Sequence, residues 1–395
     1  MTKMLASVRN AQEADLVLQA GIDIIDLKEP SKGALGAVAS GDIMAVVAFV
    51  AGRRPVSAAC GDLAMVPEVI RAKVEEIAAT GVDFVKIGFL PSDQLPACAQ
   101  TLGDVAKRTK LIAVLFADHT YDGDVLVPLV AAGFHGVMID TADKSKGRLL
   151  DHISTDRIGA FVADCHRRSL MVGLAGSLET PDIPRLLAYR PDFLGFRGAL
   201  CGGLKRDGAI DREATLTIRA LIPEEQPVGG ASRVDYQLLA ARGYFPDPAE
   251  AGLGTDKIFV RDFVLPVEIG AYSFERGKTQ KVSFDVTADV MRVTRNPEDM
   301  RHVVSYDLIM DGIRAIVARG HVDLAETLAE NIAAFVLENP RVTHVLVKAE
   351  KLELGPGGVG VIIERKQDRG RAARATGAAT APPPKAHGGR GGIAP

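Results

Sequence analysis

Short apolar runs recur at nearly even spacing through roughly the first two hundred residues. They are Met4–Val8, Ile22–Leu27, Pro55–Cys60, Phe84–Phe89, Leu111–Ala117, Gly136–Thr141, Leu170–Ala175 and Phe193–Phe196. Their length, continuity and Val, Ile and Phe content suit strands buried on both faces of a parallel sheet. Between them, apolar residues return at three- and four-residue spacing. This predicts helices at Ala11–Ala20, Val66–Thr80, Gln94–Arg108, Gly123–Ala132 and Thr155–Arg168. Asn10 stands before the first, and Gly21, Gly81 and Gly133 follow others, as capping requires. Eight such units within residues 1–222 predict an α/β fold of the (β/α)8 TIM-barrel type. An open doubly wound sheet is the alternative, and the strand count and even spacing weigh against it.

The rhythm breaks over residues 223–255, where IPEEQPVGG and FPDPAEAGLGTD bracket a possible short helix at Asp235–Arg242. Proline and glycine at this density read as a linker. Residues 256–366 then follow a different order. Two long alternating segments, Lys257–Ile269 and Gln280–Val293, precede two amphipathic ones, Tyr306–Ala318 and Leu324–Leu337. Val342–Ala349 and Val359–Glu364 close the series. The order ββααββ predicts an α+β module. Residues 367–395 contain almost no large apolar side chain, so burial there cannot offset ordering entropy and a disordered tail is expected.

Composition narrows the picture. The 395-residue length suits two or three domains, and a formal charge of −3 with no Trp and 5% aromatics gives no platform for nucleic acid. Cys60, Cys98, Cys165 and Cys201 form no C-x-x-C pair, which fits reduced thiols better than a disulfide framework or zinc cluster. No apolar leader follows Met1, and Ile43–Ala51 is too short to span a bilayer, so a cytoplasmic protein is expected.

A barrel of this type carries its chemistry at the C-terminal ends of its strands. Those ends hold Asp26 and Lys28, then Cys60-Gly61-Asp62, Lys86, Asp118 and His119, Asp140 with Lys144 and Lys146, Gly173–Ser177, and Arg197-Gly198. Asp26 and Lys28 are two residues apart and share one side of a strand. Lys86 interrupts the apolar run FVKIGF, where a charge is costly to bury. Lysines converging on one cavity depress each other's pKa, which favours a neutral amine able to act as imine nucleophile or base. The alternative is structural ion pairing with Asp26 and Asp140. Three lysines at separate strand ends favour chemistry. Gly176, Ser177, Arg197 and Gly198 follow strands seven and eight, where barrels commonly hold phosphate.

The segments IDIIDLKEPSKGALGA, DFVKIG, MIDTADKSKG, GLAGSL and FRGALC resemble the (5-formylfuran-3-yl)methyl phosphate synthases of methanofuran biosynthesis, over about Met4 to Leu221. The resemblance implies condensation of two glyceraldehyde 3-phosphate molecules with loss of phosphate and water. It assigns Lys28 to the Schiff base and Lys86 to proton acceptance, with Asp26, Asp140 and Lys144 in support. A general class I sugar-phosphate aldolase is the alternative activity.

The segments IFVRDFVLPVEIGAYSFERGKTQKVSFDV, VVSYDL, LAETLAENIA, VKAEK and GVGVIIER resemble dihydroneopterin aldolases from about Lys257 to Lys366. This implies a T-fold, a dihydroneopterin-type pterin substrate and no cofactor or metal. Tyr306 and Lys351 become acid–base residues, Glu326 the pterin anchor, and Leu324 and Ala325 backbone contacts, with Glu275 entering from a neighbouring subunit. Leu352 follows Lys351 where the family often carries proline. The resemblance also implies a homo-oligomer, a tetramer or larger, whose competing role is a non-catalytic scaffold. Gly355–Gly360 matches G-x-G-x-x-G but precedes a strand, and His321 with Glu326 lacks a second histidine, so neither a dinucleotide nor a metal site is expected.

Overall fold

The computed structural model describes residues 2–222, 253–272, 275–298, 300–354 and 357–367. The linker residues 223–252, the expected helix at 235–242 and the tail from 368 lie outside these.

Eight parallel strands close into a barrel in sequence order: β1 (Lys3–Val8), β2 (Ile24–Leu27), β3 (Val56–Ala59), β4 (Phe84–Gly88), β5 (Lys110–Phe116), β6 (Gly136–Asp140), β7 (Met171–Leu174) and β8 (Phe193–Phe196). Closure comes from β8 pairing with β1, with Lys3 opposite Phe193. One set of alternate side chains, including Val8, Ile25, Leu27, Val85 and Ile87, packs outward in the core shared with the helices. The other set, Leu5, Ile24, Ala59, Phe84, Ile112, Val114, Met138, Ala175 and Phe193, fills the barrel interior. Gly173 is required here, because a Cβ would fall 2.1 Å from the Phe193 ring.

Helices Ala11–Gln19, Pro67–Ala78 and Thr155–Arg167 match the spacing, and Asn10 caps the first by accepting from the Glu13 N–H. The long helix expected from Gln94 is shorter, Leu95–Gln100, and turns carry the chain to Arg108. Gly103, a poor helix former, lies inside that stretch.

The second unit is an antiparallel sheet, ordered β12 (Val359–Lys366), β11 (Val342–Lys351), β10 (Gln280–Met291), β9 (Thr255–Val267). Helices Tyr306–Val317 and Ala325–Leu337 bury Ile309, Ile313, Leu328 and Ile332 against its Phe284, Val286, Val345 and Val347. A register shift between Phe284 and Val286 accompanies a left-handed Asp262 (φ 51°), whose N–H donates to Asp285.

The two units meet at a carboxylate. Asp311, on helix Tyr306–Val317, accepts from Arg185 Nε at 2.7 Å and Nη2 at 3.1 Å, and from Thr155 Oγ1 at 3.1 Å. Arg314 of its own helix adds a bond at 3.0 Å. No helix among the described residues is long and apolar enough to cross a membrane.

Candidate active site

The barrel interior becomes polar toward the strand C-termini. Asp26 is fully buried, accepting from Ser7 Oγ at 2.8 Å and Ser57 Oγ at 2.6 Å while pairing with Lys86 Nζ at 2.7 Å. Lys28 Nζ lies 3.6 Å from Asp140 Oδ2, and Lys144 Nζ contacts the other carboxylate oxygen and Thr141 Oγ1 at 2.9 Å. The groups therefore alternate in sign along a row, Lys86, Asp26, Lys28, Asp140, Lys144.

Burial pushes Lys86 below the ordinary lysine range; Asp26 opposes this, and the Lys28 charge adds to it. Lys144 is lowered by burial as well, with Asp140 opposing and Lys28 and Arg206 contributing. Burial alone raises Asp26 and Asp140, but the lysine charges outweigh it and both stay below the usual carboxylate range. The row thus sets ionised carboxylates against Lys86 and Lys144, which release protons more readily than free lysine.

A cavity of about 210 Å³ opens above this row, with Lys28, Asp140, Lys144, Gly176, Ser177 and Gly198 in its wall. Asp26 and Lys86 are not in that wall. Lys86 borders a separate void of about 10 Å³ one layer deeper. Gly176 and Ser177 turn with positive φ, 119° and 49°.

Arg197 lines the cavity but does not offer it a hydrogen bond. Its Nη1 donates to Glu13 at 2.6 Å and the Ser7 carbonyl at 3.1 Å, its Nη2 to Glu13 at 3.2 Å and the Gly208 carbonyl at 2.7 Å, and its Nε to the Arg206 carbonyl at 2.8 Å. All five guanidinium donors are committed within the protein. Arg197 is expected to supply charge beside a phosphate; here its guanidinium fixes the β8 loop. Arg206, which that loop carries into the cavity wall, escaped sequence reading because nothing in its local pattern marks it.

In the second unit, Lys351 at the end of β11 reaches Glu275 Oε1 at 3.3 Å. Glu275 also accepts from the Tyr272 N–H at 3.0 Å and Gln280 Nε2 at 3.2 Å. The Tyr272 N–H, with Gln280 and Lys351, holds its carboxyl below the usual range. Glu275 packs so closely on Gly270 (φ 149°) that a Cβ there would fall 2.0 Å from the carboxyl carbon. Glu275 is expected to enter the site from a neighbouring subunit; within this chain it meets Lys351.

Leu324, Ala325 and Glu326 begin their helix at this same end. Val322 bridges to Ile269, His321 Nε2 bonds the Gly270 carbonyl at 2.8 Å, and Asp323 pairs with Arg276 at 3.0 Å. Leu324 and Glu326 are exposed. Tyr306 is exposed too, but it starts the twelve-residue helix whose far end leads back to His321. At about 1.5 Å rise per residue it stands about 18 Å along that helix from the Glu275–Lys351 end. No group of His, Cys, Asp and Glu suited to a metal occurs among the described residues.

Comparison with known proteins follows this division. Residues 4–219 match the family model for 4-HFC-P synthase, and residues 258–364 match that for dihydroneopterin aldolase. A Methylorubrum extorquens protein provisionally named a (5-formylfuran-3-yl)methyl phosphate synthase is 44% identical over 209 residues, 53% of this chain and 86% of its own. The (5-formylfuran-3-yl)methyl phosphate synthase of Methanopyrus kandleri is 34% identical over 221 residues, 53% of this chain and 93% of its own. A dihydroneopterin aldolase from Burkholderia thailendensis, solved bound to guanine, is 32% identical, covering 29% of this chain and 93% of that one at a TM-score of 0.26.

Proposed function

Because this chain belongs to the 4-HFC-P synthase family through its barrel, fused to a dihydroneopterin aldolase-like domain, we propose that the barrel condenses two molecules of glyceraldehyde 3-phosphate through an imine on Lys28. The product is (5-formylfuran-3-yl)methyl phosphate, and atom balance releases one phosphate and two waters. The observation that carries this reading is the buried row of alternating charge under the cavity, with Lys28 at its centre.

Lys28 attacks the aldehyde carbon of one triose, water leaves, and the imine acidifies the neighbouring C–H. Asp140 stands in the cavity wall and takes that proton first. Lys86 carries its proton in the resting pair with Asp26; burial eases its release, and the freed amine is then the final acceptor along the row. The enamine attacks the second aldehyde, and the Asp140–Lys144 pair moves the protons that elimination of water and phosphate require.

Incubation with glyceraldehyde 3-phosphate alone tests this. A furan aldehyde and inorganic phosphate should appear in equal amounts, and Lys28→Arg, which keeps the charge but forms no imine, should abolish borohydride trapping with the fold intact. Absence of both products sinks the condensation. Aldol cleavage of a sugar phosphate in their place favours a general class I aldolase, and trapping that survives in Lys28→Arg moves the nucleophile elsewhere.

For the second domain the reading is cleavage of a dihydroneopterin-type pterin, carried by the Glu275–Lys351 pair. A pterin ring acts as its own electron sink, so proton transfer by Lys351 and Tyr306 suffices, and the Glu326 carboxylate suits the ring's N–H donors. Tyr306 stands a helix length from Lys351, so a second copy supplies it and the protein works as a homo-oligomer of four or more chains. Furan and pterin carriers both handle one-carbon units, which gives the fusion its sense.

A further inference from the structure

The cavity over the lysine row is lined by four basic residues, Lys28, Lys144, Arg197 and Arg206, against two acidic ones, Asp140 and Glu179. Most of this charge is already answered. Lys28 and Lys144 share Asp140, and Arg197 is matched by Glu13 with every donor used. Glu179 lies 3.9 Å from Arg148. Arg206 is different: among the described residues it has no acidic partner. Only its Nη2 is engaged, donating to the carbonyls of Pro30 at 3.0 Å and Gly33 at 2.8 Å, while Nε and Nη1 have no partner among those residues.

The placement of Arg206 is built rather than incidental. Arg197 Nε bonds the Arg206 carbonyl and Arg197 Nη2 the Gly208 carbonyl, so one buried guanidinium fixes the backbone that carries the other. The carbonyls gripped by Arg206 belong to the loop that directly follows Lys28. That loop returns through the Glu29 N–H to the Gly36 carbonyl, inserts Leu35 into the barrel mouth, and is tied by Asp62, which accepts the Leu35 N–H at 3.1 Å. Leu35 is fully buried, so the loop is a packed cover.

We propose that Arg206 binds the phosphate dianion of a triose phosphate held on Lys28, its Nη1 donating to the ligand while Nη2 holds the 30–33 loop shut. This rests on the condensation reading for the identity of the substrate, but the phosphate contact itself does not. The Arg206 guanidinium shares its charge with no carboxylate among the described residues, whereas the Lys144 ammonium is already shared with Asp140. The arrangement makes the enzyme selective for phosphorylated aldehydes.

The test uses the full chain and inorganic phosphate, titrated by calorimetry against wild type, Arg206→Met and Arg206→Lys. Arg206→Met should weaken phosphate binding about tenfold or more, the loss of one charge-assisted contact, and Arg206→Lys should recover part of it. With glyceraldehyde 3-phosphate the KM should rise more than kcat falls. The preference of borohydride trapping for glyceraldehyde 3-phosphate over glyceraldehyde should drop by a similar factor. Equal phosphate affinity in wild type and Arg206→Met, or no phosphate binding by wild type, overturns the proposal. If wild type yields no furan product while phosphate binding still depends on Arg206, the condensation fails and the phosphate site stands.

Discussion

Asp26→Asn probes the buried row where its energetics are most exposed. The substitution keeps the shape of the side chain, and the Ser7 and Ser57 hydroxyls can each still pair with the amide by rotating. What it removes is the only carboxylate within 4 Å of Lys86 Nζ among the described residues, in a side chain 2% exposed. Breaking a buried pair by deleting one partner costs about 3–5 kcal/mol, because the remaining charge is left uncompensated. The pH dependence follows from the directions of the shifts. In wild type the Asp26 carboxyl is held below 3.8, so its stabilisation is full above that pH and is lost as pH falls through the folded value. Lys86 is lowered from 10.5, so between its folded value and 10.5 the unfolded chain binds the extra proton and stability rises with pH. Without Asp26 the Lys86 value drops further and this window widens. Asp26→Asn should therefore cost about 3 kcal/mol near pH 7, and the deficit should shrink as pH approaches that of free lysine. Urea unfolding followed by circular dichroism near pH 7 and again near pH 9.5 measures it; the chain has no Trp to report by fluorescence. A deficit under about 1 kcal/mol near pH 7, or one that grows with pH, would refute the view that the pair is charged and mutually dependent.

Asp311→Ala strips Arg185 and Thr155 of their shared acceptor at the contact between the two units. It should cost about 2–3 kcal/mol and split one calorimetric transition into two, whereas an unchanged thermogram means that the contact does not couple them. Tyr306→Phe and Lys351→Ala should each remove turnover of dihydroneopterin. Mixing the two variants under conditions of subunit exchange should restore part of it, because some sites then combine an intact Tyr306 with an intact Lys351. No recovery, or a monomer in sedimentation, argues against a site shared between copies.

Much of this protein was legible without coordinates. The eight apolar runs are the eight barrel strands, because strands buried on both faces must be continuously apolar and few other elements produce that pattern so evenly. The switch to alternating segments after residue 255 marks the antiparallel sheet for the matching reason, since its strands face a core on one side only. The gathering of Asp26, Lys28, Lys86, Asp140 and Lys144 into one interior was also readable, because barrel geometry brings strand ends together whatever their separation along the chain.

Only the tertiary structure decided how those charges pair, and it did so through distances that periodicity does not encode. Lys86 and Asp26 form a layer beneath the cavity because β2 and β4 are staggered by the tilt of the barrel. Arg197 and Arg206 are equally basic in sequence, yet one is saturated by Glu13 and three carbonyls while the other keeps Nη1 for a ligand. In the second domain, the sequence marks Glu275, Tyr306 and Lys351 alike, but hairpin register joins the first to the last and a rigid helix holds Tyr306 away. Hydrophobic pattern determines which elements form because burial is a property of each segment alone. Which polar groups meet depends on the packing of all segments together, and that is settled only when the fold closes.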